Sequence, residues 1–319
     1  MVVGMVKHKQ EQRRNRISEP GFVENLRRRI AIPRGSGVIL GIGDDCAIVR
    51  PRGSAEDLLY TTDMLIEGTH FRFDTHRAED AGWKALARGL SDIAAMGGEP
   101  RFSLLSLAIT NEVDTRWLDG FYRGLLQLAS REGAPLIGGD VAKTDRLVCD
   151  IVVCGAVPRG RALRRDGARA GDAIYVSGEL GVSALGLTAQ RGGAWARHKR
   201  PEPRLALGRF LREEVRATAA MDLSDGLSLD LHRMCTASGL HAEITVPPVF
   251  PGATLDEALH GGEDYELLFT ASPRTPVPES FDGLRLTHIG TMRSGKPGKV
   301  LLDGVALPPA GYDHLRQHY

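Results

Sequence analysis

Carboxylates set beside glycines, at the ends of short apolar runs, recur along this 319-residue chain. Asp44 and Asp45 follow Gly41-Ile42-Gly43, and Asp63 follows Tyr60-Thr61-Thr62. Asp92 falls in Gly89-Leu90-Ser91-Asp92, and Asp140 follows Gly138-Gly139. Asp222 and Asp225 bracket Ser224 just before Gly226, and Glu263-Asp264 follows Gly261-Gly262. A short acidic side chain at a strand end, beside bare backbone, is rigidly placed and can approach a ligand closely. Any one of these reads as an Asx turn or a helix cap. Their number exceeds what turns alone require, and the Gly, Pro and Asp clusters they belong to divide the chain into short strand-like runs and helices.

The apolar periodicity agrees. Phe22, Leu26 and Ile30 recur at helical spacing after Ser18. Short runs at Val38–Leu40, Ala47–Val49 and Leu58–Thr62 read as strands, the last ending at Asp63. Residues 78–96 read as a helix with Leu86, Leu90 and Ile93 on one stripe, stopped by Gly97-Gly98. Phe102–Ile109 is strand-like, and Asp114 caps a helix carrying Trp117, Phe121, Leu125 and Leu128. Leu136-Ile137 and Leu147–Val157 read as strands around a Gly138-Gly139-Asp140 turn. A basic, turn-rich stretch at 158–172 marks a boundary. Beyond it come a strand at 173–176, helices at 204–217 and 227–238, and strands at 241–246, 265–270, 285–290 and 300–302. The expected fold class is α/β, mixed α+β in each half. The divisions are a disordered basic extension at 1–16, an N-terminal domain at 17–157 and a C-terminal domain at 158–319. The length, about two domains' worth, agrees.

Charge nearly cancels, with 41 Lys plus Arg against 40 Asp plus Glu. That balance argues against nucleic-acid and polybasic membrane partners. No apolar run approaches a membrane span, and the N-terminus lacks a signal-peptide pattern, so a cytoplasmic location is expected. Cys46, Cys149, Cys154 and Cys235 form no CxxC pair, which disfavours a zinc site or a disulfide framework. No G-x-x-x-x-G-K-[ST] occurs, and no H-R-D or D-F-G. Gly41-x-Gly43 opens like a dinucleotide fingerprint, but Cys46 stands at the third glycine and two carboxylates intrude. Bare carboxylates repel a pyrophosphate, and a metal between them reverses this. A Mg²⁺-bridged phosphate site on a less common scaffold is the reading these residues favour.

Plainer readings stand beside it. Asp92 could pair with Arg88 at i, i+4, and Asp222 and Asp225 could cap the helix near Leu227. Cys46 and Cys235 read as small core residues, His70 as a partly buried histidine, and Arg165 as a solvated loop arginine.

Several stretches together resemble the thiamine-monophosphate kinase family: Gly41-Ile42-Gly43-Asp44-Asp45-Cys46-Ala47, Thr61-Thr62-Asp63, Gly68-Thr69-His70-Phe71 and Leu90-Ser91-Asp92-Ile93-Ala94-Ala95-Met96-Gly97. So do Gly138-Gly139-Asp140, Gly160-Arg161-Ala162-Leu163, Asp222-Leu223-Ser224-Asp225-Gly226, Gly261-Gly262-Glu263-Asp264-Tyr265-Glu266 and Gly311-Tyr312-Asp313-His314, in family order. The resemblance implies a two-domain fold like that of aminoimidazole ribonucleotide synthetase, in a homodimer whose N-terminal strands form an interface sheet or barrel. It implies that ATP phosphorylates thiamine monophosphate to thiamine diphosphate, with Mg²⁺. Carried over by position, Asp45, Thr61, Thr62, Asp63, Asp92, Asp140, Asp222 and Asp225 are the implied metal ligands, with Asp63, Asp92 and Asp140 catalytic. Gly139, Asp140, Arg165 and Ser224 are the implied nucleotide contacts, and His70, Glu263 and Tyr312 the substrate contacts. Where the family often has an aromatic residue three before the tyrosine, this chain has Pro309.

That chemistry suits the residues. Two −2 phosphates ~5 Å apart at an effective dielectric of ~20 repel by roughly 13 kcal/mol, so several Mg²⁺ ions and a surplus of carboxylates are needed. The attacking phosphate oxygen is already ionised, so no strong base or phosphoenzyme is expected. The thiazolium cation suits the Tyr312 ring and the Glu263 carboxylate, and Arg165 brings a permanent charge toward phosphate. The alternatives are a related ATP-using synthetase, such as an aminoimidazole ribonucleotide or selenophosphate synthetase, and a catalytically silent nucleotide or thiamine-diphosphate sensor. Residues 1–40 hold no Cys of the kind the selenophosphate enzyme carries, and no motif carboxylate is missing as a silent sensor would require.

Overall fold

The computed structural model describes residues 19–313 and 315, so the basic segment 1–16 and His314 lie outside the described residues. The first half runs α1 (Glu19–Arg29), β1 (Val38–Leu40), β2 (Ala47–Val49), β3 (Glu56–Ile66), α2 (Ala78–Ala95), β4 (Glu99–Ile109), α3 (Thr115–Glu132), β5 (Leu136–Lys143) and β6 (Val148–Pro158). Its strands form one open six-stranded sheet, in the order β1-β2-β3-β6-β4-β5. Only β4 and β5 pair parallel. Within one chain this is a sheet, not the barrel named as the alternative. Residues 159–172, where the composition shifts, carry no helix or strand.

The second half runs β7 (Ala173–Ser177), α4 (Val182–Ala189), α5 (Gly192–Lys199), α6 (Leu205–Phe210), β8 (Ala219–Asp222), α7 (Leu227–Ser238), β9 (His241–Ile244) and α8 (Leu255–His260). It closes with β10 (Leu267–Ala271), β11 (Ser280–Phe281), β12 (Leu284–Arg293), β13 (Val300–Leu302) and β14 (Val305–Ala306). Seven strands lie in the order β14-β13-β9-β12-β7-β10-β8, and β11 is added on β12.

α2 organises the molecule. Leu86, Leu90 and Ile93 form the expected stripe and are fully buried, but the remaining faces are buried too, because α2 is covered by the first sheet, α3, α6 and β8. On α3, Asp114 accepts from the Trp117 amide at 2.7 Å, the cap expected from the sequence. α2 and α3 cross so closely that a Cβ on Gly82 would stand 1.9 Å from the Phe121 carbonyl oxygen, and one on Gly124 1.9 Å from that of Glu79. One apolar core under the first sheet continues to Leu267, Phe269 and Leu286 of the second, and another lies around α7. All four cysteines are buried and free.

Several expectations are corrected. Asp63 does not end a strand: β3 continues to Ile66, paired with β6 throughout. Gly138-Gly139-Asp140 is not a turn but the middle of β5. The helix expected at 204–217 ends at Phe210 and passes into a single π-helical turn, Leu211–Val215. Phe22, Leu26 and Ile30 do lie on or just beyond a helix, yet their stripe is exposed within one chain. α5, β8 and α8 were not foreseen, being four to eight residues long and too short for periodicity to register.

Candidate active site

Three carboxylates from three distant stretches meet between the halves. Asp45 precedes β2, Asp92 lies in the last turn of α2, and Asp222 ends β8. One oxygen from each lies within 4.8 Å of the others. Neighbouring hydroxyls fix them: Thr61 Oγ1, on the inner face of β3, donates to Asp92 Oδ2, and Ser91 Oγ donates to Asp222 Oδ2 at 2.6 Å. Arg165, in the connection between halves, donates from its backbone N and its Nε to Asp44 (3.2 Å each) and from Nη2 to Asp45. Far from being a solvated loop residue, it is largely buried.

The cluster carries more negative charge than its own cation answers. Burial, then the neighbouring carboxylates, raise Asp92 and Asp222 well above the usual range. Burial also raises Asp45 against the pull of Arg165, and Asp44 is pushed up to about 7 by burial and by Asp45. Asp45 Oδ2 is buried with no hydrogen-bond partner. Three hard oxygen donors around an unanswered charge fit a divalent cation of the Mg²⁺ type. Cys46 packs beside them, its thiol raised by burial and by these carboxylates, so it is inert.

A second group lies along α2. Arg88 does not pair with Asp92; it forks onto Asp63, Nε to Oδ2 at 3.0 Å and Nη2 to Oδ1 at 2.6 Å. Lys84, fully buried, bonds Glu263 (2.9 Å) and the His70 carbonyl (3.0 Å). Burial alone would raise Glu263, but Lys84, His198 and Arg88 outweigh it and hold the acid at about 2. His70 is buried, as the plainer reading held, and its Nδ1 accepts from the Ile66 amide at 3.0 Å, which leaves the ring proton on Nε2.

The loops of the second half close around this. The Glu263 amide donates to the Ser224 carbonyl (2.8 Å) and the Tyr312 amide to the Asp225 carbonyl (3.0 Å). Asp225 does not cap α7; its carboxylate receives Arg233, and the N-cap position is Gly226.

Two expected ligands lie elsewhere. Side chains alternate along a strand, so Thr62 lies on the face of β3 opposite Thr61 and Asp63, and it is exposed. Asp140 pairs across β4 and β6 with the row of Met64, which shares the face of Thr62. Three strand spacings, about 14 Å, separate that row's ends. Asp140 is therefore not brought to Asp63 and Asp92 within one chain. Gly139 is required where it stands, since a Cβ there would lie 1.8 Å from the Leu105 carbonyl oxygen. With Asp140 it lines an open cleft of about 310 Å³ whose wall also includes Leu105, Tyr122 and Leu136. Lys84 has no role in the sequence reading, which also misses the observed partners of Arg88 and Ser91. The available signal was a polar row at i, i+4 and i+7 on a helix whose other faces are apolar.

The fold and the site together define an AIR synthase related protein. The family model described as "AIR synthase related protein, N-terminal domain" matches residues 43–157, and its C-terminal counterpart matches residues 169–303. Within that class, the thiamine-monophosphate kinase of Escherichia coli K12 is 39% identical over 306 residues, spanning 87% of this chain and 92% of its own length. That of Bacillus subtilis is 35% identical over 311 residues, spanning 88% and 95%. The solved structure described as "AaThiL complexed with AMPPCP and TMP" superposes with a TM-score of 0.82 at 31% identity, covering 93% of this chain and 97% of that one. The chain belongs to the thiamine-monophosphate kinase family.

Proposed function

We propose that the protein transfers the γ-phosphoryl group of ATP directly and in line to thiamine monophosphate, with Mg²⁺, giving thiamine diphosphate and ADP in thiamine diphosphate biosynthesis. The observation that carries this reading is the Asp45, Asp92 and Asp222 cluster with its unpartnered buried oxygen. The complex of a relative with AMPPCP and TMP supports the choice of substrates. Among the described residues no helix is long and apolar enough to cross a membrane. We assign the cytoplasm as the site of action, and domains at 17–157 and 158–319.

Asp45, Thr61, Asp92 and Asp222 would hold Mg²⁺, with Asp63 and Asp225 extending the set toward further ions. When bound, the ions neutralise phosphate charge and orient the reacting oxygens. Arg165 and Ser224 face the nucleotide, and Arg165 exchanges Asp44 for a phosphate oxygen. Glu263, ionised down to about 2, complements the thiazolium charge, Tyr312 presents its partly exposed ring to the same cation, and His70 donates from Nε2. No side chain has to accept a proton from the acceptor, whose phosphate is ionised near neutral pH. The open face of the first sheet carries Thr62 and Asp140, with the Gly139 backbone beside Asp140 in β5, and its exposed Met64, together with Ile137 and Val141 exposed on the edge strand, suits a second copy of the chain. In that homodimer Thr62, Gly139 and Asp140 serve the nucleotide from the open face of the sheet.

The test is a product assay. Incubation with ATP, Mg²⁺ and thiamine monophosphate yields thiamine diphosphate and ADP in equal amounts, resolved by mass. ATP binding without thiamine diphosphate formation overturns the reading.

A further inference from the structure

Lys84 is fully buried, yet its ammonium meets two residues assigned to the acceptor, one from each half of the chain. Its Nζ donates to the His70 carbonyl at 3.0 Å, in the loop after β3, and stands 2.9 and 3.0 Å from the two Glu263 oxygens. Glu263 is held in an unusual conformation: its φ is +64°, in the left-handed region that a non-glycine residue seldom occupies. Such a conformation persists where its surroundings over-determine it. Here the surroundings are the Ser224 carbonyl on the backbone (2.8 Å) and Lys84 on the carboxylate, with Arg88 at 3.4 Å and His198 at 3.6 Å.

An apolar side chain would fill this interior without desolvating a charge, so stability alone does not call for a lysine here. Its two bonds converge on the loops that carry the acceptor contacts. We propose that Lys84 is a positioning residue for the acceptor: it does not touch the substrate, but it sets Glu263 and His70 in register across the two halves, and so determines recognition of the thiazolium-bearing phosphate. This rests on the function proposed above.

The test is calorimetric titration of thiamine monophosphate and, separately, of ATP with Mg²⁺ into the full-length protein, Lys84→Met, Glu263→Gln and the double variant. Lys84→Met should weaken thiamine monophosphate binding roughly ten- to hundredfold, the range of a lost charge-assisted hydrogen bond. ATP affinity should move by less than about threefold. The double variant should bind no more weakly than the weaker single variant, because both substitutions break one device. Should Lys84→Met fail to fold, the double variant carries the test, since it buries no unpaired charge; it should then match Glu263→Gln. Equal losses for both ligands, additive losses, or unchanged thiamine monophosphate affinity in Lys84→Met overturn the proposal alone. Absence of thiamine monophosphate binding by the unaltered protein overturns the functional reading, and this inference with it.

Discussion

Ser91 Oγ donates to Asp222 Oδ2 at 2.6 Å, and that single bond joins the buried helix of the first half to the last residue of β8 in the second. Asp92, the next residue on the helix, faces the same cluster. The carboxylates are thus assembled by docking one half on the other, so the site exists only in the folded whole.

Asp222→Asn should lower turnover about a hundredfold or more, and Ser91→Ala, which removes only the support, about ten- to hundredfold. Mg²⁺ at a hundredfold excess over its Kd should stabilise the unaltered protein by about 2.7 kcal/mol. Asp222→Asn should lose most of that gain. Thermal melts with and without Mg²⁺, beside steady-state assays, check both statements.

Arg165 is ion-paired with Asp44 and Asp45. Arg165→Ala should raise the KM for ATP roughly tenfold to a hundredfold, as expected for a charge-assisted bond. Arg165→Lys should recover part of the loss, because it keeps the charge but not the fork. Unchanged KM for ATP in both variants would remove Arg165 from the nucleotide site.

His198 is almost wholly buried beside Lys84, Glu263, His76 and Lys199. Burial, aided by Lys84, lowers its pKa to about 3. Below pH 6.5 the unfolded chain takes up a proton there that the folded chain refuses until about pH 3. Stability from this ring is therefore lost as pH falls through that window, by about 1.4 kcal/mol per pH unit. Urea melts at several pH values should show this slope reduced by that amount in His198→Gln. An unchanged slope would mean that His198 is protonated in the folded protein.

The α2–α3 crossing leaves no room for a methyl group. Gly82→Ala, whose Cβ would stand 1.9 Å from the Phe121 carbonyl oxygen, should cost about 3 kcal/mol or more. Denaturant unfolding measures it, and a cost below about 1 kcal/mol would show that the helices can separate freely.

What could be read from the sequence followed physical scale. Long helices announce themselves: α2 is legible nearly to the residue, and the start of α3 is readable from the Asp114 cap and its apolar spacing. Asp45, Asp92 and Asp222 stood out because glycines flank or neighbour them. What stayed hidden was direction. Thr61 and Thr62 are adjacent in sequence but lie on opposite faces of β3, and only the sheet's packing decides which is inner. Two glycines made Asp140 look like a turn residue, whereas they let β5 run close along β4. Lys84 and Arg88 carry charges that normally mark a solvent face, and nothing local shows that the second half covers them.

Direct transfer between two bound phosphates can be followed in a single-turnover experiment with γ-³²P-labelled ATP, Mg²⁺ and thiamine monophosphate. The label should pass into thiamine diphosphate with none held on the protein at any time. Label that accumulates on the protein before the product, or that appears only as inorganic phosphate, would contradict direct transfer.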